Sequence, residues 1–202
     1  MRRVLTAVAL LAVAALAVRF ALGGVRAEAP DAIAAAAPGA PGEVLPVLHA
    51  VALDGTVVPP QAYRGRLLVL NVWAPWCAPC RREMPSLARL HARLDPARFQ
   101  VVALAADEDR VAVAEYAGER ALPFATWATP SRSESLARLA VDRIPTTLVV
   151  APNGRVLARV VGPREWDAPS IVAELEAMAE EAGRAAPPAS GDRARAGVGD
   201  GG

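Results

Sequence analysis

The sequence predicts an α/β fold in which a mixed central β-sheet is flanked by helices. Apolar runs of strand length alternate with segments of helical periodicity through the middle of the chain. Two hairpin signals, Asp54-Gly55 and Asn153-Gly154, stand near either end of that region. With 202 residues, 53% of them hydrophobic, the chain has the apolar side chains for one core of ordinary size.

The elements follow in order. "VLHAVALDGTVV" reads as a hairpin turning at Asp54-Gly55, and "RLLVLNVW" as a buried strand. "APCRREMPSLARLHARL" is helical, with Met84, Leu87, Leu90, His91 and Leu94 at spacings of three and four. "FQVVALAAD" is a second buried strand, "DRVAVAEYAGERA" a helix, and "PFATWAT" a short strand. "SESLARLAV" is a helix for which Ser133 is the expected cap. "PTTLVVAPNGRVLARVVG" is a hairpin around Asn153-Gly154, and "DAPSIVAELEAMAEEAG" a last helix expected to be capped by Asp167 and stopped by Gly183.

Composition divides the chain. Residues 1–27 read as a signal peptide or signal anchor: Met1-Arg2-Arg3 is a short positive start, and Val4 to Val18 an uncharged run, apolar except for Thr6. Val25-Arg26-Ala27 offers a cleavage site after Ala27, whereas Phe20, Ala21 and Leu22 extend the apolar segment into an uncleaved tether to the inner membrane. An uncleaved tether is expected. The positive start belongs in the cytoplasm and the rest outside it, in the periplasm or another extracytoplasmic space. Residues 28–42 form an Ala/Pro/Gly-rich tether, residues 43–182 the folded domain, and residues 183–202 have the composition of a disordered tail. The net charge is +1, with 22 basic residues, all arginine, scattered among 21 acidic ones. Such a balance excludes a nucleic-acid partner.

The chemistry concentrates in "NVWAPWCAPCRREMP", which holds Cys77 and Cys80, the only two cysteines. Cys77 follows a buried strand and opens a helix, where unpaired N–H groups and the positive end of the helix dipole favour a thiolate. Pro79 is tolerated there because first-turn N–H groups have no partner to lose. Cys80 lies one turn further in, close enough for a disulfide and more shielded. A structural zinc needs four ligands. The two histidines are His49 and His91, and His91 stands about 16 Å along the helix from Cys80 at about 1.5 Å per residue. A purely structural staple is also weak, since so short a loop removes little entropy from the unfolded chain. Redox chemistry remains.

These residues, with "IPTTLVVAPNG" and "VGPREWDAP", resemble the thioredoxin superfamily, specifically its membrane-anchored TlpA/ResA-like thiol-disulfide oxidoreductases. The resemblance runs from Glu43 to Met178. It implies a thioredoxin-like fold with an N-terminal β-hairpin extension, a redox-active Cys77–Cys80 disulfide, Cys77 as attacking nucleophile and Cys80 as resolving thiol. Pro145 is then the cis-proline facing the pair, and Pro85 the helix-kinking proline. Trp76, Ala78, Pro79, Ile144 and Pro145 would meet the substrate. The implied function is reduction of disulfides in client proteins, of the cytochrome c maturation or copper-site assembly type. The protein would act as a monomer without metal or organic cofactor, and a membrane electron donor of the CcdA/DsbD type would recharge it. A disulfide-forming oxidant is the main alternative. A copper-delivery or redox-sensing module is a further alternative, but Sco-type copper proteins use a wider cysteine spacing and a distal histidine that is not found, and a non-catalytic scaffold would have no need of the cysteines behind "WAPW".

Asn71 stands where cytoplasmic thioredoxins carry a buried aspartate, and it cannot take a proton. Two readings of Glu83 are open: a proton acceptor for Cys80, as ResA-like proteins imply, or an exposed first-turn glutamate complementing the dipole. Arg143 replaces the glycine usual before Ile144-Pro145, with two readings: a charge that biases the pocket toward acidic partners, or, preferred, a solvated side chain. Trp73 belongs to the core by strand alternation, and Trp76 is the better contact residue. Trp166 and Tyr116 read as packing residues and His49 as a surface polar group. A capped helix start accounts for Asp107, Glu108 and Asp109 without a metal.

Overall fold

The structure, a computed structural model, describes residues 43–185. The signal segment, the tether and the tail beyond residue 185 lie outside the described residues. Among the described residues no helix is long and apolar enough to cross a membrane.

Six strands form one sheet: β1 (Val51–Ala52), β2 (Leu67–Trp73), β3 (Phe99–Ala105), β4 (Ala125–Ala128), β5 (Thr146–Val150) and β6 (Val156–Val161). Their order is β1-β4-β3-β2-β5-β6. β2, β3 and β4 run parallel, and β1, β5 and β6 add antiparallel pairings, so the sheet is mixed as expected. Four helices accompany it: α1 (Ala78–Arg93), α2 (Arg110–Glu119), α3 (Arg132–Arg138) and α4 (Pro169–Ala185).

β2 is buried along its whole length and divides its side chains between two cores. Leu67, Val69 and Trp73 meet Met84, Leu87 and Leu90 of α1 and Ile171 and Leu175 of α4. Leu68, Leu70 and Val72 face Leu104, Leu148, Leu139 and, from the N-terminal segment, Leu45, Leu48 and Tyr63. The strand period of two dictates this split. By the same period Asn71 points to the α1 side. Leu87 and Leu90 are fully buried there, and each such side chain stabilises the fold by about 1.5–3 kcal/mol.

Both hairpins turn where the sequence places them. Gly55 and Gly154 have φ of 92° and 90°, the left-handed region where a side chain would be strained. The first hairpin is very short: Ala52 N donates to the Thr56 carbonyl.

Three expected helix ends are corrected. Ser131, not Ser133, caps α3, its hydroxyl accepting from Glu134 N. Ser131 is followed three residues later by Glu134, the capping-box spacing, and Ser133 by Leu136. Asp167 does not cap α4, which begins at Pro169; its carboxylate is drawn instead to Arg89, at 2.6 Å from Nε and 3.1 Å from Nη2. Gly183 does not stop α4, which continues to Ala185. One glycine costs a helix about 1 kcal/mol, and the flanking Glu180, Glu181, Ala182 and Arg184 continue the turn.

Candidate functional site

β2 ends at Trp73, and a turn closed by Cys77 N to the Ala74 carbonyl (3.1 Å) brings the chain into α1. Cys77 is the N-cap of that helix, with extended backbone (φ −80°, ψ 101°), and its Sγ accepts from Cys80 N at 3.3 Å. The two cysteines form a disulfide with Cα atoms 5.3 Å apart. Cys80 is fully enclosed and Cys77 retains 5% exposure. The helix start is therefore less open than the sequence suggests, but Cys77 is the sulfur nearer solvent.

β5 runs antiparallel to β2 with Thr146 opposite Val72. The residues just before β5 thus lie at the end of β2 that delivers the cysteines. Pro145 is there, joined to Ile144 by a cis peptide bond, and the Ile144 carbonyl oxygen lies 3.9 Å from Cys77 Sγ. The structure brings Cys77, Cys80, Ile144 and Pro145 together.

Glu83 is not an exposed dipole partner. It is 2% exposed, on the buried face of α1 one turn past Cys80. Asn71 Nδ2 donates to Oε1 at 2.8 Å, while Trp166 Nε1 (2.9 Å) and Arg164 N (3.1 Å) donate to Oε2. Burial raises its pKa above the ordinary carboxylate range, against the opposing pull of the Trp166 and Asn71 hydrogen bonds, the Arg164 N–H and the Arg164 charge. A buried carboxyl made more basic in this way is suited to accept a proton. Asn71 also donates to Thr147 Oγ1 (3.0 Å), joining β2 to β5 behind the disulfide.

Around the pair, Trp76 is 56% exposed. Its indole donates to Asp107 Oδ2 at 2.9 Å, and the Arg132 guanidinium lies 4.7 Å above its ring. Ala78 is exposed, and Pro79 and Ile144 are half-buried. Arg143 is exposed, 3.9 Å from Asp142. Asp109 caps α2 through Val111 N and Ala112 N, as a capped helix start requires. Trp73 is fully buried against Tyr116, with ring centroids 5.0 Å apart. Pro85 lies within α1, where it supplies no N–H to the carbonyl one turn back. No cluster of metal-ligating side chains occurs among the described residues.

Three participants were not legible in the sequence. Trp166 is fully buried, as a packing residue should be, yet its indole N–H is spent on Glu83. Arg164 contributes through its backbone, which has no sequence signature. Ser86 Oγ accepts from Trp166 N (3.1 Å) and donates to the Glu83 carbonyl (2.8 Å), fastening the loop after β6 onto α1. The segment "VGPREWDAP" marks a conspicuous tryptophan, but nothing local indicates a contact 83 residues away.

Comparison with known proteins agrees with this geometry. The chain is 27% identical over 110 residues to the thiol-disulfide oxidoreductase ResA of Bacillus cereus, covering 54% of this chain and 63% of that protein. It is 28% identical over 99 residues to ResA of Bacillus subtilis, covering 49% and 55%. The chain thus spans less than two thirds of the curated relatives it matches. A crystal structure of a putative thiol:disulfide interchange protein DsbE from Chlorobium tepidum superposes with a TM-score of 0.59 at 27% identity, over 70% of this chain and 96% of that one. The thioredoxin domain of a Bacteroides vulgatus oxidoreductase gives a TM-score of 0.60 at 17% identity over 69% and 98%, a likeness of fold alone. The fold is thioredoxin-like. With the Redoxin family model matched across residues 25–177, most of its length, this chain belongs to the Redoxin family.

Proposed function

We propose that the protein is an extracytoplasmic thiol-disulfide oxidoreductase that reduces disulfides in client proteins. The observation that supports this most is the Cys77–Cys80 disulfide at the start of α1, with Cys77 as N-cap and cis-Pro145 opposite. In the reduced protein the Cys77 thiolate attacks a client disulfide, one client sulfur leaves, and a mixed disulfide forms. Glu83 takes the proton of the Cys80 thiol. The Cys80 thiolate attacks Cys77 Sγ, the bond from Cys77 to the client breaks, and the second client sulfur leaves as a thiolate that is then protonated. Two electrons have passed from the pair to the client, and neither a metal nor an organic cofactor enters any step. Trp76, Ala78, Pro79 and Ile144 border the nucleophile and would meet the client chain. Residues 1–27 would hold the domain, residues 43–182, outside the cytoplasm, with residues 28–42 as spacer and a membrane carrier of the CcdA/DsbD type as electron donor. The clients would be of the cytochrome c maturation or copper-site assembly type.

The experiment is capture. In cells carrying Cys80→Ser, Cys77 should accumulate as a mixed disulfide with its client, recovered under non-reducing conditions and released by dithiothreitol. Cys77→Ser should capture nothing. Trapping through Cys80 in the Cys77→Ser protein would reverse the assignment, and no adduct in either variant would remove the oxidoreductase reading.

A further inference from the structure

Glu83 is served from two sides, and the side remote in sequence carries a new assignment. Every hydrogen bond to its carboxylate comes from a donor: Asn71 Nδ2 at 2.8 Å, Arg164 N at 3.1 Å and Trp166 Nε1 at 2.9 Å. Arg164 N and Trp166 Nε1 can only donate, and the Asn71 amide turns its Nδ2 toward Glu83 while its own buried Oδ1 is left without a partner. The same donors favour the charged form. Of the three, only the Trp166 indole is a side-chain donor aimed at Glu83 from outside the β2–α1 unit. The loop that carries it is fastened to α1 by Ser86, whose Oγ accepts from Trp166 N and donates to the Glu83 carbonyl. Trp166 has no exposure, so its N–H has no water with which to exchange this bond.

We propose that Trp166 is a positioning residue for the redox reaction, its indole N–H holding Glu83 as the proton-accepting carboxylate one helical turn from Cys80. This rests on the oxidoreductase reading and deepens it. With the N–H in place, Glu83 is charged when the mixed disulfide forms and receives the Cys80 proton as Cys80 attacks Cys77. Without it, burial acts with less opposition and Glu83 holds its own proton to higher pH. The groups facing Glu83 are few. The Arg164 guanidinium contributes its charge from the loop after β6, and Cys80 and Cys77 become titratable on reduction. β2 and β5 contribute the neutral Asn71 and Thr147, and Ser86 on α1 is neutral. Arg164 is present in every variant tested, so its charge cannot account for a difference among them.

The test removes the N–H and keeps the ring. Trp166 is replaced in the full-length chain by benzothienylalanine, which has sulfur where indole has N–H, and in parallel by Phe. Glutamate side-chain carboxyls are labelled with carbon-13, and the Glu83 titration is followed by NMR in the oxidised protein. With oxidised glutathione as the disulfide client, release of the second glutathione thiol is followed by stopped flow across pH. The Glu83 midpoint should move up in the isostere, and the pH profile of client release should move with it. A hydrogen bond to a charged group lost in this way slows release near neutral pH by roughly tenfold. Thermal melting identifies any unfolding of Trp166→Phe, and the isostere carries the conclusion. An unmoved Glu83 midpoint in the isostere would overturn the assignment. Glu83→Gln with unchanged client release would instead remove the proton-acceptor reading beneath it, and the NMR titration separates these two failures.

Discussion

Burial and hydrogen bonding act on Glu83 in opposite directions, and burial is the larger effect. The native carboxyl holds its proton to higher pH than the same group in the unfolded chain. Its contribution is therefore fully present below the ordinary glutamate value and is lost as pH rises through the raised native value. Asp167 works the other way: its Arg89 hydrogen bond lowers its pKa, so its contribution is lost as pH falls. Comparing the oxidised wild-type protein with Glu83→Gln by urea denaturation at a series of pH values isolates the first effect. The wild type should lose stability relative to the variant as pH rises through that window. A difference that is flat with pH, or that grows in favour of the wild type, would contradict the burial reading. Asn71 belongs to the same balance, because its Nδ2 donates to Glu83 Oε1 and opposes the effect of burial.

At the scale of elements, helix ends are where local signals and structure part. α2 and α3 both finish in Schellman motifs. Leu122 N donates to the Ala117 carbonyl and Ala121 N to that of Gly118; Val141 N and Ala140 N do the same with Leu136 and Ala137. The residue that must turn left-handed is alanine in each case, Ala121 at φ 46° and Ala140 at φ 50°. That conformation costs an L-residue roughly 1–2 kcal/mol, and glycine loses about 0.5–1 kcal/mol more entropy on folding. Ala121→Gly should therefore stabilise the protein by about 0.5–1 kcal/mol, read as a higher urea midpoint at unchanged slope. A lower midpoint would show that the Ala121 methyl packs more than it strains. The nearby Gly118, the residue a pattern search would choose as the stop, lies inside α2 instead. α3 has a further restraint: the buried Arg159 of β6 donates to the Leu139 and Ala140 carbonyls at 2.7 and 3.2 Å, satisfying a helix end from across the fold.

For the whole molecule the question is the direction of electron flow. A CxxC pair becomes an oxidant when its reduced thiolate is strongly stabilised. Here Pro79 precedes Cys80, and neither histidine stands near the pair in sequence. Arg81 and Arg82 follow Cys80 on α1 but are exposed, where solvent and salt screen them. The potential should fall nearer thioredoxin's roughly −270 mV than DsbA's roughly −120 mV. Equilibration of the domain in dithiothreitol and glutathione buffers, followed by fluorescence of Trp73 and Trp76, measures it. A midpoint close to −120 mV would reassign the protein as an oxidant.

The sequence by itself determined the α/β architecture, the two hairpin turns and the location of the sulfur chemistry. Each depends on neighbours in the chain: alternation along β2, helical spacing along α1, Asp-Gly and Asn-Gly turns, and two cysteines at a strand-to-helix junction. Only the tertiary structure decided what Glu83 is. Its place in the second turn of α1, and not in the first as the sequence suggested, is compatible with solvent or with the core, and the choice depends on Asn71 from β2 and on a loop that arrives after β6. Trp166 was legible as buried because tryptophan is large and apolar. Its indole partner was not, because a hydrogen bond 83 residues long in sequence is set by how α1, β2 and α4 pack, and no local pattern encodes that packing.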